Sequence, residues 1–366
     1  MRLCLTHPQY GYYTSRDPLG KDFITSPEIS QMFGEVISIW YFVQWVQQNT
    51  PRSSRIVEIG PGRGTLMADM LRAWSKGPSL RSFLDSIYDI TLIEASPHFL
   101  KKQHALLCGS NPLKKTDTGF ASTTIVGSKP IYWHEAVTDI PSDLPVYMMA
   151  HEFFDALPIH SFEKTPSGWR ELLVDYGIES DPQSSLSLPG QTVIKASTHK
   201  QPTFHVVQAK SETPSSKLLS NSKRYDSLNI GSRAEICPEA LNYAVQLSNI
   251  ISASAHGALL AIDYGADTIP ANTFRAFSDG KVVSPFANPG DADLTADVDF
   301  GALSEAIYDQ CPEMAVQGPV EQGSFLLALG IQTRAMRLVD SKADDNDKKR
   351  IFDAYKRLIE RLGCYS

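Results

Sequence analysis

Arg55-Ile-Val-Glu-Ile-Gly-Pro-Gly-Arg-Gly-Thr-Leu-Met67 carries a strand, a glycine turn and a helix start in one run. Ile56, Val57 and Ile59 form a short apolar strand. Gly60, Gly62 and Gly64 then let the backbone turn where a side chain would block a ligand. Leu66, Met67, Met70, Leu71 and Trp74 recur at helical spacing. The turn therefore presents unpaired amide donors and a positive dipole end above the strand. Such a junction suits a nucleotide-type ligand, although a tight strand-to-helix turn by itself accounts for the glycines.

The glycine spacing narrows the ligand. A dinucleotide fold needs GxGxxG so that a pyrophosphate rests on the helix start, but the sixth position counted from Gly60 is Thr65. That disfavours a nicotinamide-dependent reductase. The GxGxG spacing, with Glu58 just before it, resembles the first motif of class I S-adenosylmethionine methyltransferases, whose ligand brings no pyrophosphate.

Composition bounds the class. The chain has 366 residues, 42% of them hydrophobic, which suits one large or two smaller globular domains. Its 34 basic and 41 acidic residues give a net charge of −7, so a nucleic-acid-coating surface is excluded as the main expectation. Cys4, Cys108, Cys237, Cys311 and Cys364 are scattered without a CxxC pair and read as reduced, mostly buried thiols. No stretch approaches the roughly 20 apolar residues of a membrane span, so stable membrane insertion is not expected. Met1 opens without a signal or transit segment.

Along the chain, residues 7–20 read as a surface loop rich in Tyr, Pro and Gly, with Tyr10, Tyr12 and Tyr13 as its large rings. Ser26-Pro27-Glu28 predicts a helix start, with an inward stripe of Ile29, Met32, Phe33, Val36, Trp40 and Val43 running to about residue 46. Residues 88–94 read as a second strand ending in Glu94. An acid there can accept from both hydroxyls of a ribose. A helix is expected over 97–107 and a polar loop over 114–128.

Ile131-Tyr-Trp133 is a third short strand, followed by His134 at the usual place of an adenine edge; a satisfied or surface histidine is the competing reading. Val146-Tyr-Met-Met-Ala150 is a strand that runs into His151-Glu-Phe-Phe-Asp-Ala-Leu-Pro158. Residues 160–176 read as a hairpin turning at Pro166-Ser-Gly168. The stretch from 179 to about 221 is rich in Ser, Pro, Gln and Lys, broken by the strand-like Phe204-His-Val-Val207. A helix from Pro238, an apolar strand over 257–265, an acidic turn-like run over 291–300 anchored by Leu294 and Val298, and an amphipathic helix carrying Ile351, Phe352, Tyr355, Leu358, Ile359 and Leu362 complete the chain. The expected class is α/β, a Rossmann-like doubly wound sheet. Its divisions are 1–50 as a lid and packing helix, 51–177 and 231–366 as two parts of the core, and 178–230 as a flexible insertion.

Five separated runs together resemble one family. Gly11-Tyr-Tyr13, Asp22-Phe-Ile-Thr-Ser-Pro-Glu-Ile-Ser30, Glu58-Ile-Gly-Pro-Gly-Arg-Gly64, Glu152-Phe-Phe-Asp-Ala-Leu-Pro158 and Asp293-Leu-Thr-Ala-Asp-Val-Asp-Phe300 are similar to the motifs of the MidA-like protein arginine methyltransferases. The resemblance implies S-adenosyl-L-methionine as cofactor. It implies Glu58, Gly60, Gly62 and Gly64 as residues that hold it, and the strand-end positions of Glu94 and His134 add those two as candidates. The family's mitochondrial branch implies a protein substrate, a core subunit of respiratory complex I, symmetrically dimethylated during assembly in the matrix. A catalytically silent assembly scaffold on the same fold is the alternative. The family usually has Asn where this chain has His151, which adds a group expected to titrate near neutrality. The resemblance further implies that the chain begins inside the family's span and stops before a terminal strand.

Arginine chemistry then assigns the acids. A guanidinium is cationic, with a pKa of about 12.5 to 13.8, and delocalised. Carboxylates can hold its planar fork, localise its charge and aim one nitrogen. Glu152 and Asp155 are the pair for that role, with His151 beside them. Asp155 has a second reading, as the cap of a helix beginning near Leu157. Phe153 and Phe154 are candidates for the wall of the site, with plain core packing as the other possibility, and the 12–26 segment is a candidate lid.

Overall fold

The computed structural model describes residues 1–15, 24–177, 203–220, 222–254 and 256–360. Part of the expected lid (16–23), about half of the expected flexible insertion (178–202 and 221), Leu362 and Cys364 lie outside the described residues. In chain order the strands of the two larger sheets are β1 (Ser54–Ile59), β2 (Ile87–Ile93), β3 (Lys114–Lys115), β4 (Gly119–Thr123), β5 (Pro130–His134), β6 (Val146–His151), β7 (His160–Thr165), β8 (Gly168–Gly177), β9 (Thr203–Gln208), β10 (Arg233–Ile236) and β11 (Gly257–Ile262). The chain groups into two compact units. One comprises Met1–Ser15, Phe154–Asn242 and Tyr264–Glu305, and the other, larger one Arg16–Phe153, Tyr243–Asp263 and Ala306–Ser366. Among the described residues no helix is long and apolar enough to cross a membrane.

The larger unit is built on a sheet in the order β11-β6-β1-β2-β5-β4-β3. β1 pairs in parallel with both β2 and β6, β2 with β5, and β6 with β11. Chain order thus runs outward on one side of β1 through β2 and β5, and on the other through β6 and β11. That reversal is the place where doubly wound sheets leave a crevice beyond their carboxyl ends. Residues 114–128, expected as a polar loop, instead supply β3 and β4, which extend the sheet in antiparallel fashion. Their composition is polar because β3 is exposed and β4 only part-buried at the sheet edge, so no apolar alternation marked them.

Every residue of β1 is buried, including Arg55, whose guanidinium donates to Asp89 Oδ1 at 2.7 Å. The following helix, Thr65–Lys76, starts after Gly64 in a left-handed conformation (φ 83°) and buries Leu66, Met67, Met70, Leu71 and Trp74, the stripe its spacing implied. It packs with the Gln31–Gln47 helix over one face of the sheet, where Trp74 donates its indole N–H to the Ser38 carbonyl at 2.9 Å. The expected continuous helix from Ser26 breaks at Ser30. That residue is extended (φ −165°, ψ 141°), and its hydroxyl accepts from the Met32 amide to begin a new helix. The inward stripe shifts accordingly: Ile37, Tyr41 and Trp45 are buried while Val43 is exposed. In the Asp345–Ile359 helix Leu358 is buried, but Phe352 is exposed beneath the Lys356 ammonium.

The smaller unit carries an antiparallel sheet in the order β10-β7-β8-β9. Phe162, Trp169, Leu219, Tyr225, Ala234 and Ile236 fill its core. The β7–β8 hairpin turns at the expected Pro166-Ser-Gly168, with Gly168 at φ 102°. Phe204 to Val207 lie in β9. The run over 291–300, expected as turn, forms the short strands Asp293–Thr295 and Val298–Asp299. Residues 1–15, expected as loop from position 7, form helices Arg2–Thr6 and Tyr12–Ser15, and Tyr12 is fully buried. Tyrosines at successive positions concealed the change, because one ring of such a run can serve a core that local sequence does not reveal.

Candidate active site

The parallel register of the larger unit sets five strand ends along one edge. Ile59 lies opposite both Ile93 and Ala150, Ile93 opposite His134, and Ile262 opposite His151. The glycine turn, Glu94, His134, His151, Glu152 and Asp263 follow from those ends. The turn is locked to its neighbour by the Gly60 amide, which donates to the Ile93 carbonyl at 3.0 Å. Gly60, Gly62 and Gly64 all have positive φ (64°, 54° and 83°), so an L side chain at any of the three would be strained.

Glu28, from the Ser26–Ile29 turn, reaches this glycine segment. Thr65 Oγ1 donates to Glu28 Oε1 at 2.6 Å and Arg63 Nη1 to Oε2 at 3.3 Å. Its sequence position marks it as an acid near the positive end of the helix that starts at Ser26. The carboxylate instead secures the turn from outside it.

Glu94 is held before any ligand arrives. Oε1 accepts from the Ser96 amide at 2.7 Å, and Oε2 accepts from Gln103 Nε2 at 2.9 Å. Burial pushes its carboxyl up to about 7, against the opposing pull of those donors. Glu58 precedes the turn with Oε2 buried and, among the described residues, without a hydrogen-bond partner, and burial raises it to about 8. His134 ends β5 with Nδ1 at 3.1 Å from the Thr118 carbonyl, which makes Nδ1 the donor. Its ring stacks on Tyr132.

At the end of β6, His151 is buried, 5.2 Å ring to ring from Phe33. Its Nε2 approaches Glu152 Oε1 at 3.3 Å but without hydrogen-bond geometry, and counts among the buried polar atoms lacking a partner. Burial lowers its pKa to about 3, so the ring is neutral across the physiological range, and the expected titration near neutrality does not occur. The 3.3 Å approach is therefore not an ion pair. Glu152 has φ 50°, a left-handed conformation unusual for a residue with a long side chain. Its amide donates to the Ile262 carbonyl at 2.9 Å, and the next amide, Phe153, donates to Asp263 Oδ2 at 3.1 Å. These two bonds hold the kink. Phe153 packs edge-on against Tyr243 and lies where a Cβ at Gly60 would meet its ring at 3.3 Å.

Asp155 belongs to the smaller unit. Its Oδ2 accepts from Thr295 Oγ1 at 2.7 Å, and its backbone carbonyl from the Ala296 amide at 3.1 Å. Tyr13 donates to Asp293 Oδ1 at 2.7 Å in the same unit, and burial raises both Asp155 and Tyr13 above their ordinary ranges. No helix begins near Leu157, so the capping role is replaced by the bond to Thr295. Pro158 disfavours helical backbone at the residue before it and withholds an amide. Phe154 is buried in this unit as core.

Gln103 is the residue that motif reading missed. Fully buried on the Pro97–Cys108 helix, it bonds to the Gly62 carbonyl (2.6 Å), to Glu94 and, through Oε1, to the Trp133 indole (2.9 Å). Its only sequence signal is an amide on the inward face of an amphipathic helix that follows a strand-end acid.

A family model for S-adenosyl-L-methionine-dependent methyltransferases matches residues 36–320. The mitochondrial protein arginine methyltransferase NDUFAF7 of Bos taurus is 37% identical over 367 residues, spanning 99% of this chain and 76% of that protein. The Homo sapiens protein of the same name is 35% identical, spanning 98% and 75%. The chain belongs to this MidA-like methyltransferase family. Among solved structures, a COG1565 superfamily member from Burkholderia thailandensis bound to S-adenosyl-homocysteine superposes with a TM-score of 0.68 at 20% identity, covering 98% of this chain and 82% of that one. The fold is that of a class I methyltransferase.

S-adenosylmethionine is the cofactor of this methyltransferase, and the larger unit fits it. The turn offers a side-chain-free cradle of left-handed glycines. Glu94 is oriented at the end of β2 by directed donors from Ser96 and Gln103. Among the described residues, Glu58 Oε2 and His151 Nε2 are buried polar atoms without a hydrogen-bond partner.

Proposed function

We propose that this methyltransferase acts on arginine in a protein substrate, with Glu152 as the carboxylate that holds the guanidinium. The observation that carries the reading is the conformation of Glu152: a non-glycine residue at φ 50°, pinned at a strand end beside the reversal of strand order. Left-handed backbone at a charged residue costs about 1 to 3 kcal/mol and persists where surrounding contacts enforce it, commonly at functional sites. The relatives' name, protein arginine methyltransferase, supports the same acceptor.

The bound cofactor supplies an electrophilic methyl group on a sulfonium centre. The chain's own residues position and polarise the acceptor. Glu152 accepts from two guanidinium nitrogens, concentrating positive charge on that side and leaving the third nitrogen to face the methyl group. Neutral His151 backs Glu152 without adding a competing cation. Gly60, Gly62, Gly64, Glu58, Glu94 and His134 are proposed as the cofactor contacts. Asp155 is proposed as an acceptor-side acid of the smaller unit, to be tested by Asp155→Asn. The resemblance to the mitochondrial branch supports symmetric dimethylation of a complex I core subunit in the matrix.

The test is mass spectrometry of that respiratory subunit from cells with and without this protein, alongside Glu152→Gln. Dimethylarginine that disappears with the protein and is not restored by Glu152→Gln supports the reading. Unchanged methylation overturns it, and restoration of assembly by a non-methylating variant favours the scaffold alternative.

A further inference from the structure

Three elements meet at one buried amide in the larger unit. Gln103 is fully buried and spends both N–H groups, one on the Gly62 carbonyl at 2.6 Å and one on Glu94 Oε2 at 2.9 Å. Its Oε1 receives the Trp133 indole N–H at 2.9 Å. An indole can only donate, and a carbonyl and a carboxylate can only accept. The amide therefore has one satisfactory orientation. Rotating it by 180° would set its oxygen against Gly62 O and Glu94 and its NH₂ against the indole N–H.

The third glycine of the motif belongs to the same arrangement. A Cβ at Gly64 would meet Gln103 Cγ at 3.3 Å and Cα at 3.5 Å, so the absent side chain there lets the Pro97–Cys108 helix close on the turn. Resting on the proposed cofactor contacts Gly62 and Glu94, we propose that Gln103 is a positioning residue for cofactor binding, whose single amide sets the Gly62 backbone and the Glu94 carboxylate in register with each other. Glu94 is thereby held with both oxygens directed and with a donor that favours its ionised, hydroxyl-accepting form.

The titratable groups on the elements packed around Glu94 are Glu58 on β1, raised by burial to about 8, Arg63 in the turn, His134 at the end of β5 with Glu135 after it, and His98, Lys101, Lys102 and His104 on the helix. Arg63 is engaged with Glu28, His134 with Thr118 O, and His104 with Asn111 O. The Gln103 donor is one of the interactions that hold the Glu94 pKa down to about 7 against burial, so its loss raises that pKa further. Affinity for a ribose diol should then fall, and its dependence on pH should move upward.

Gln103→Met keeps the length and removes all three bonds. Calorimetric titration of the purified chain with S-adenosylhomocysteine between pH 6 and 9, checked for folding by circular dichroism, is expected to show about 10- to 100-fold weaker binding at pH 7.5. The midpoint of the affinity–pH curve should shift to higher pH. The 2′-deoxy analogue of the same ligand should lose less affinity than the parent, because the lost register acts through Glu94. Equal losses for parent and analogue, or an unshifted midpoint, overturn the proposal. Should Gln103→Met not fold, Trp133→Phe leaves Gln103 in place without its orienting donor. A smaller loss with the same analogue discrimination supports the proposal, and wild-type behaviour overturns it.

Discussion

Thr65 Oγ1 donates to Glu28 Oε1 at 2.6 Å, tying the first residue of the helix after the glycine turn to an acid 37 positions earlier. Glu28 is part-buried and also receives Arg63. Thr65→Val should therefore lower stability by about 1 to 2 kcal/mol, the cost of leaving a part-buried carboxylate short of a donor. A thermal melt measures the loss. Because the turn itself is loosened, S-adenosylhomocysteine affinity should fall with it, and a variant that loses stability alone would separate Glu28 from the cofactor site.

Gly62→Val sets a β-branched residue at φ 54°. That conformation costs an L residue about 1 to 2 kcal/mol, more when branched, and the added methyls occupy the cradle. Calorimetry should detect no S-adenosylmethionine binding in a chain that still melts cooperatively. Wild-type affinity in this variant would remove the turn from the cofactor site.

Glu152→Gln keeps volume and removes charge. Cofactor affinity should stay within about twofold, while turnover on an arginine-containing substrate falls on the order of 10²- to 10³-fold, as for loss of a group that stabilises developing charge. Single-turnover mass spectrometry reads the step directly. Retained turnover would take Glu152 out of the clamp.

Two buried groups should make the stability of the ligand-free protein depend on pH in opposite directions. Glu58 is raised from 4.5 to about 8, so between those values the folded state binds more protons than the unfolded one. Its contribution is complete below pH 4.5 and is lost as pH rises through 8. His151 is lowered from 6.5 to about 3, so its contribution is present above pH 6.5 and is lost as pH falls toward 3. Melting temperatures of Glu58→Gln should fall less than wild type between pH 5 and 8. Those of His151→Asn, which restores the residue usual in the family, should fall less between pH 6 and 4.

The strand, turn and helix of residues 55–76 were legible in sequence because apolar spacing and glycine placement are local properties. So were the acids that close their strands, Glu94 and Glu152, and with them the doubly wound class. The edge strands at 114–123 were not, since part-exposed strands lack an apolar alternation to mark them. Nor was the break at Ser30, where a serine suits both the inside of a helix and its cap.

Other features depend on which distant groups the fold brings within hydrogen-bonding distance. Gln103 joins Gly62 across 41 residues and Trp133 across 30, and Asp155 meets Thr295 across 140. No local pattern encodes such pairs, because the partners lie on elements far apart in the chain whose final neighbours are set by the packing of the sheets. Ionisation follows the same division. The residue types fix which groups can titrate, but His151 became a neutral ring and Glu58 a raised acid only when the closed core removed water from them. The sequence by itself determined the nucleotide-type turn and the acids beside it. Tertiary structure decided how those acids are held, and in what charge state, because desolvation and directed hydrogen bonds exist only once the chain has packed.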